Sequence, residues 1–127
     1  DTVMPYRKMK KNIEALRTQL IDMLEKLKKQ GKHIAGYGAA AKGMVLLNYF
    51  QIGSFLDFIV DKSEVKQGLN TPGTHLPIYA PDKILLERPD YVLILPWNIA
   101  SEVMDFLSDY SKSGGKFIIP IPHVKII

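Results

Sequence analysis

The chain has 127 residues, no cysteine, 46% hydrophobic and 24% charged residues, and a formal net charge of +4. That composition suits one domain with a core of its own, and it excludes disulfides, thiolate nucleophiles and cysteine-ligated metals. No apolar run approaches the roughly 18 to 20 residues of a membrane span, and no signal-peptide pattern opens the chain, so a cytoplasmic protein that does not engage membranes is expected.

The chain opens Asp1-Thr2-Val3 rather than with methionine, which suggests a piece of a longer protein. Residues 6–29 place Met9, Ile13, Leu16, Leu20, Leu24 and Leu27 at steps of three and four, the spacing of one apolar helix face. Pro5 suits the first turn and Gly31 the stop. Residues 1–33 carry nine Lys/Arg against four acids, whereas the remainder carries eight against nine. The basic character therefore belongs to this leading helix. It reads as a solvated face, because no aromatics interleave the basic residues, and nucleic acid is not an expected partner.

A short strand follows over 33–37, then a glycine-rich turn and a helix over about 40–51. Residues 55–60 form a buried strand ending at Asp61. Residues 62–77 read as a loop punctuated by Gly68, Asn70, Pro72, Gly73 and Pro77. A short strand is expected over 76–79, a short helix over 81–86 and a fully apolar strand over 91–95. Asn98 is placed to cap a helix carrying Ile99, Val103, Phe106, Leu107 and Tyr110, stopped by Gly114-Gly115 before a last strand over 117–121. Strands that are apolar on both faces and alternate with helices predict a Rossmann-like, doubly wound α/β sheet of four to five mainly parallel strands. The expected layout is a single domain over 1–127, a leading helix to residue 31 and an α/β body over 32–127.

Ligands of such sheets bind beyond the carboxyl ends of the strands, near the switch in strand order. Three tips qualify: Gly36-Tyr37-Gly38 with Ala39, Ala40 and Lys42; Asp61-Lys62; and Pro96-Trp97-Asn98. Gly36-x-Gly38-x-x-Ala41 fits the dinucleotide fingerprint. On that reading Gly36 makes the tight turn, Gly38 lets backbone approach a phosphate, and Ala41 lets helix pack on strand. Lys42 would add a point charge at the helix N-terminus, and Asp61 stands where a ribose-binding acid would. A purely structural turn needs the same small residues, so both readings stay open. The motif is not a P-loop, since Lys42 precedes Gly43 and Met44. His75, in Pro-Gly-Thr-His, is either a phosphate or hydroxyl contact or a surface histidine. Trp97 either stacks on a base or packs between strand and helix. His33 and His123 have no acidic partner at ligand spacing, so no metal site is expected. No catalytic set is evident.

Four segments, IAGYGAAAKGMVLLNYF, LDFIVDKSEVKQGLNTPGTHLPIY, PDYVLILPWNIASEV and GGKFIIPIP, resemble the C-terminal domain of the sugar C-methyltransferases. The resemblance spans about Ile34 to Pro122. It implies a parent enzyme with an N-terminal zinc-binding part and a middle domain that holds S-adenosylmethionine and the catalytic residues. It also implies a C-terminal Rossmann-like domain that helps bind a nucleotide-diphosphate sugar, in deoxysugar biosynthesis. Carried onto this sequence, the turn Gly36 to Gly43, Asp61, Lys62, Thr74, His75 and Asn98 become candidate nucleotide-sugar contacts. The expected partners are that sugar nucleotide and the middle methyltransferase domain, and the isolated chain is not expected to be active alone. Two rivals remain: a stand-alone NAD- or S-adenosylmethionine-binding domain, and a structural module whose leading helix pairs with another domain or with a twin as a homodimer.

Overall fold

The computed structural model describes residues 3–71, 75–121 and 123–127, with side chains from residue 12 onward other than those of Ala41 and Lys42. The leading helix, α1, runs Val3–Lys29. Its stripe is set by burial: Leu20 and Leu24 are wholly enclosed, Leu27 nearly so, and Ile13 and Leu16 pack partly against the same core. Each enclosed leucine contributes on the order of 2 kcal/mol. Gly31 ends the helix in a left-handed conformation (φ 77°). Its N–H donates to the Lys28 carbonyl and that of Lys32 to the Leu27 carbonyl, closing the last turn as a Schellman motif.

The body then alternates β1 (Ile34–Tyr37), α2 (Ala41–Phe50), β2 (Ile59–Val60), β3 (Ile78–Tyr79), α3 (Lys83–Glu87), β4 (Tyr91–Ile94), α4 (Ala100–Phe106), α5 (Ser108–Lys112), β5 (Lys116–Ile119) and β6 (Lys125–Ile126). The sheet order is β3-β2-β1-β4-β5-β6. The first five strands are parallel, as expected, and β6 returns antiparallel against β5. The order reverses between β1 and β4, which is where a doubly wound sheet opens its crevice.

Alternation along each strand builds two cores. Ile34, Ile59, Ile78, Leu93 and Ile118 face α1 and α2. Ala35, Tyr37, Phe58, Val60, Val92, Ile94, Phe117 and Ile119 face α3, α4 and α5. Both sets are buried because both faces are covered, and this explains the absence of a polar face in the strand sequences.

Local differences from the sequence reading have physical causes. Residues 53–55 form a 3-10 turn rather than the start of β2, so β2 begins at Ile59. Helix α2 stops at Phe50 because Gln51, not a glycine, takes the left-handed position (φ 56°). Its N–H and that of Ile52 complete a second Schellman pair, and its side-chain Oε1 accepts from Arg17 Nη2 at 3.1 Å. Asn98 does not cap a helix: it lies inside a 3-10 turn, Trp97–Ile99, and the residue before α4 is Ile99, which makes no side-chain cap. The cause is Pro96, whose φ of −80° and ψ of 70° make an inverse γ-turn, with Trp97 N–H donating to Leu95 O at 2.9 Å.

Candidate functional site

The carboxyl ends of the parallel strands form one rim, and the glycine turn sits at its centre. Gly36 lies inside β1, where an added Cβ would stand 3.1 Å from both Ile59 Cγ1 and Leu56 Cδ1. The tight turn is made instead by Gly38. Its φ is 98°, and an added Cβ would fall 2.7 Å from Pro96 Cδ. The close approach of helix to strand is made by Gly43, where a Cβ would meet Leu95 Cβ at 3.0 Å. The turn is thus made one step along from where the spacing suggests, at Gly38, and Gly43 supplies a close packing contact; the side chain of Ala41 lies outside the described ones.

The turn is braced from β2. Gly38 N–H donates to Val60 O at 2.8 Å, and Ala39 N–H donates to Asp61 Oδ2 at 2.6 Å. Asp61 Oδ1 accepts from Ser63 N–H at 2.7 Å, an Asx-turn. Lys66 Nζ donates to Ala39 O at 3.0 Å, and Gln67 Nε2 donates to Asp61 O at 2.9 Å. The Ala39 peptide is therefore held at both ends, by a carboxylate on its N–H and an ammonium on its carbonyl. Lys66 and Gln67 were missed by the sequence reading. The signal was their distance of five and six residues from Asp61 within one loop, too irregular for any periodicity.

The other tips divide. Lys62 Nζ stands 3.8 Å over the Phe106 ring of α4, a cation–π contact. Tyr37 points into the core on that same side, edge-on to Phe106. Burial, and secondarily the negative charge of Asp61, raise its phenol above the usual value. Trp97 is half-buried and touches both cores, so its indole packs. Ala40 and Asn98 are exposed on the rim. The side chain of Lys42 lies outside the described side chains, and Thr74 outside the described residues.

His75 is not brought to this rim. After the Asp61 loop the chain runs back alongside β3, with Gly68 N–H donating to Ile78 O, Ile78 N–H to Leu69 O, and Asn70 bridged to Pro77. His75, in a left-handed conformation (φ 55°), therefore stands at the amino end of β3, opposite the glycine turn. His33, with no acidic neighbour in sequence, meets Asp57 across space, Nδ1 to Oδ2 at 3.1 Å. Among the described residues no three metal-ligating side chains converge, and no helix is long and apolar enough to cross a membrane.

Residues 1–122 match the family described as the C-methyltransferase C-terminal domain. The chain belongs to that family. It is 37% identical over 123 residues to the C-methyltransferase NovU of Streptomyces niveus, covering 96% of this chain but 29% of that protein. The chain thus spans under a third of the length of this curated relative. Among solved structures it resembles UDP-D-quinovosamine 4-dehydrogenase from Vibrio fischeri, with a TM-score of 0.55 at 18% identity over 76% of this chain and 93% of that one. At that identity the likeness concerns the fold, and it agrees with the Rossmann-type strand order. The family is one of methyltransferases, the class of enzyme that generally draws its methyl group from S-adenosylmethionine.

Proposed function

We propose that this domain supplies the substrate-facing wall of an S-adenosylmethionine-dependent C-methyltransferase that acts on a keto-sugar nucleotide in the cytoplasm. The reading is supported by the brace at the carboxyl rim, where Asp61 and Lys66 hold Ala39 just ahead of α2 and Lys62 lies over Phe106 of α4. Asp61 Oδ2 already accepts the Ala39 amide, so a diphosphate does not sit on that amide. The phosphates would lie one residue further on, over the first-turn amides of α2, whose N–H groups have no partner within the helix. Lys42 and Lys66 are the cations assigned to them. The lone pairs that remain on Asp61 suit a sugar or ribose hydroxyl, which donates where a phosphate cannot.

The methyl transfer is assigned to another domain of the parent enzyme. S-adenosylmethionine held there would supply the methyl group for the carbon next to the keto group. Nothing on this chain is given a step in it.

Calorimetry with a nucleotide-diphosphate sugar tests the reading. Weak binding that falls on Lys42→Ala and on Lys66→Ala is expected, with no methylated product when the chain alone is mixed with S-adenosylmethionine and the keto-sugar nucleotide. A larger thermal shift with NAD or S-adenosylmethionine than with the sugar nucleotide would favour a dinucleotide or cofactor site instead.

A further inference from the structure

A second cleft, of about 300 Å³, opens at the opposite end of the sheet, between the amino ends of β1, β4 and β5. Its walls come from Lys32 before β1, Arg88 to Asp90 before β4, and Ser113 to Gly115 before β5 with Lys116 at the start of that strand. Its base is rigid. The Tyr110 ring packs so closely under Gly115 that any Cβ there would clash. The Tyr110 hydroxyl donates to Pro89 O at 2.8 Å. Asp90 Oδ2 accepts from His33 N–H at 2.8 Å, and Asp90 N–H donates back to His33 O at 2.9 Å.

Three cations line this cleft: Lys32, Arg88 and Lys116. Among the described residues none of them makes an ion pair or a side-chain hydrogen bond. They are not spent on the carbonyl ends of α3 or α5, the usual employment of basic residues near a helix C-terminus. Asp90 is the one acid in the lining. Arg88 adds a separate indication. It occupies the left-handed position after α3 (φ 48°), a place where glycine is at ease and a long side chain is strained. The strain is retained at a residue that lines the cleft. The amides of Gly114 and Gly115 are bonded to Ser111 O and Tyr110 O, so the donors on offer are the three side chains.

We propose that this cleft is a binding site for a phosphate-bearing small molecule, distinct from the carboxyl rim. A guanidinium and two ammoniums around a polar hollow match a multiply charged oxyanion better than a single carboxylate. The site shares no residue with the brace at Asp61, so its fate does not hang on the sugar-nucleotide reading.

Titration of the 127-residue chain with inorganic pyrophosphate, followed by amide NMR, tests it. Saturable shifts are expected at Gly114, Gly115 and Asp90, weakening as salt is raised. Arg88→Gln with Lys116→Gln should weaken binding about tenfold or more, whereas Lys26→Gln with Lys29→Gln on α1 should leave it unchanged. Arg88→Gly should weaken binding and raise the melting temperature together, which a purely structural arginine would not do. The proposal is overturned if shifts stay linear to about 10 mM pyrophosphate, if the Arg88/Lys116 variant binds as the parent chain does, or if Lys66→Ala removes the binding.

Discussion

The backbone N–H of Ala39 donates to Asp61 Oδ2 at 2.6 Å, joining the turn after β1 to the tip of β2 across 22 residues. The carboxylate sits where an anionic ligand of a glycine turn would otherwise be drawn, so the turn carries its own counter-charge. Asp61→Ala leaves the Ala39 and Ser63 amides without this acceptor and should lower the unfolding free energy by about 2 kcal/mol. Asp61→Asn keeps one acceptor and should cost about half as much. Urea denaturation at pH 7 checks the order, and equal losses in the two variants would mean that the charge and second oxygen contribute nothing.

Two glycines with positive φ should separate strain from space. Gly38→Ala meets both a left-handed backbone and the Pro96 ring, and should destabilise by about 3 kcal/mol or more. Gly31→Ala, with nothing within 4 Å of its added Cβ, meets the backbone penalty alone, about 1 kcal/mol. Thermal melts of the two variants measure the difference.

Gln51 holds a left-handed conformation at the end of α2. Gln51→Gly should raise stability by about 0.5 to 1 kcal/mol, even though it gives up the exposed hydrogen bond to Arg17. A lower denaturation midpoint in this variant would instead credit that bond with holding α1 against α2.

Alkaline pH should loosen the fold through Tyr110. Burial first, with the nearby charges of Asp90 and Tyr91 adding to it, raises its phenol well above the ordinary value, partly offset by the hydrogen bond at Lys116. In the unfolded chain the phenol ionises near pH 10, roughly its free value, while in the folded protein it stays protonated. The stabilisation is thus complete below about pH 10 and is lost above it, at up to about 1.4 kcal/mol per pH unit. Tyr110→Phe removes this contribution and should flatten the fall between about pH 10 and 11.5, read as unfolding free energy against pH. The same change leaves Pro89 O without its donor, so the variant should be about 1 kcal/mol less stable at neutral pH.

The parts legible in the sequence were those with strong periodicity. The α1 stripe from Ile13 to Leu27, the doubly apolar strands and the tips at Gly38 and Asp61 follow from patterning alone, and patterning is what tells a strand covered on both faces from a half-exposed one. What was not legible depended on where a loop turns. Residues 62–77 carry enough glycine and proline to be read as a loop, but nothing in them shows that 68–70 double back along β3 and carry His75 to the other end of the sheet. Lys66 was hidden for the same reason, since its partner is a carbonyl 27 residues earlier. Asn98 has the chemistry of a cap, yet Pro96 makes a γ-turn first and spends the position on a 3-10 turn.

The two segments that double back have one effect in common. Residues 68–70 hydrogen-bond along β3, and β6 with Ile127 lies along β5, Phe117 and Ile127 exchanging N–H and carbonyl at 2.9 Å each way. Both flanks of the five-strand parallel stack are thereby closed by short antiparallel pieces of the same chain. Among the described residues, a strand from another molecule finds only short edges to extend. Among those same residues, addition of an amyloid-like or β-augmenting neighbour is discouraged at both flanks of the parallel stack.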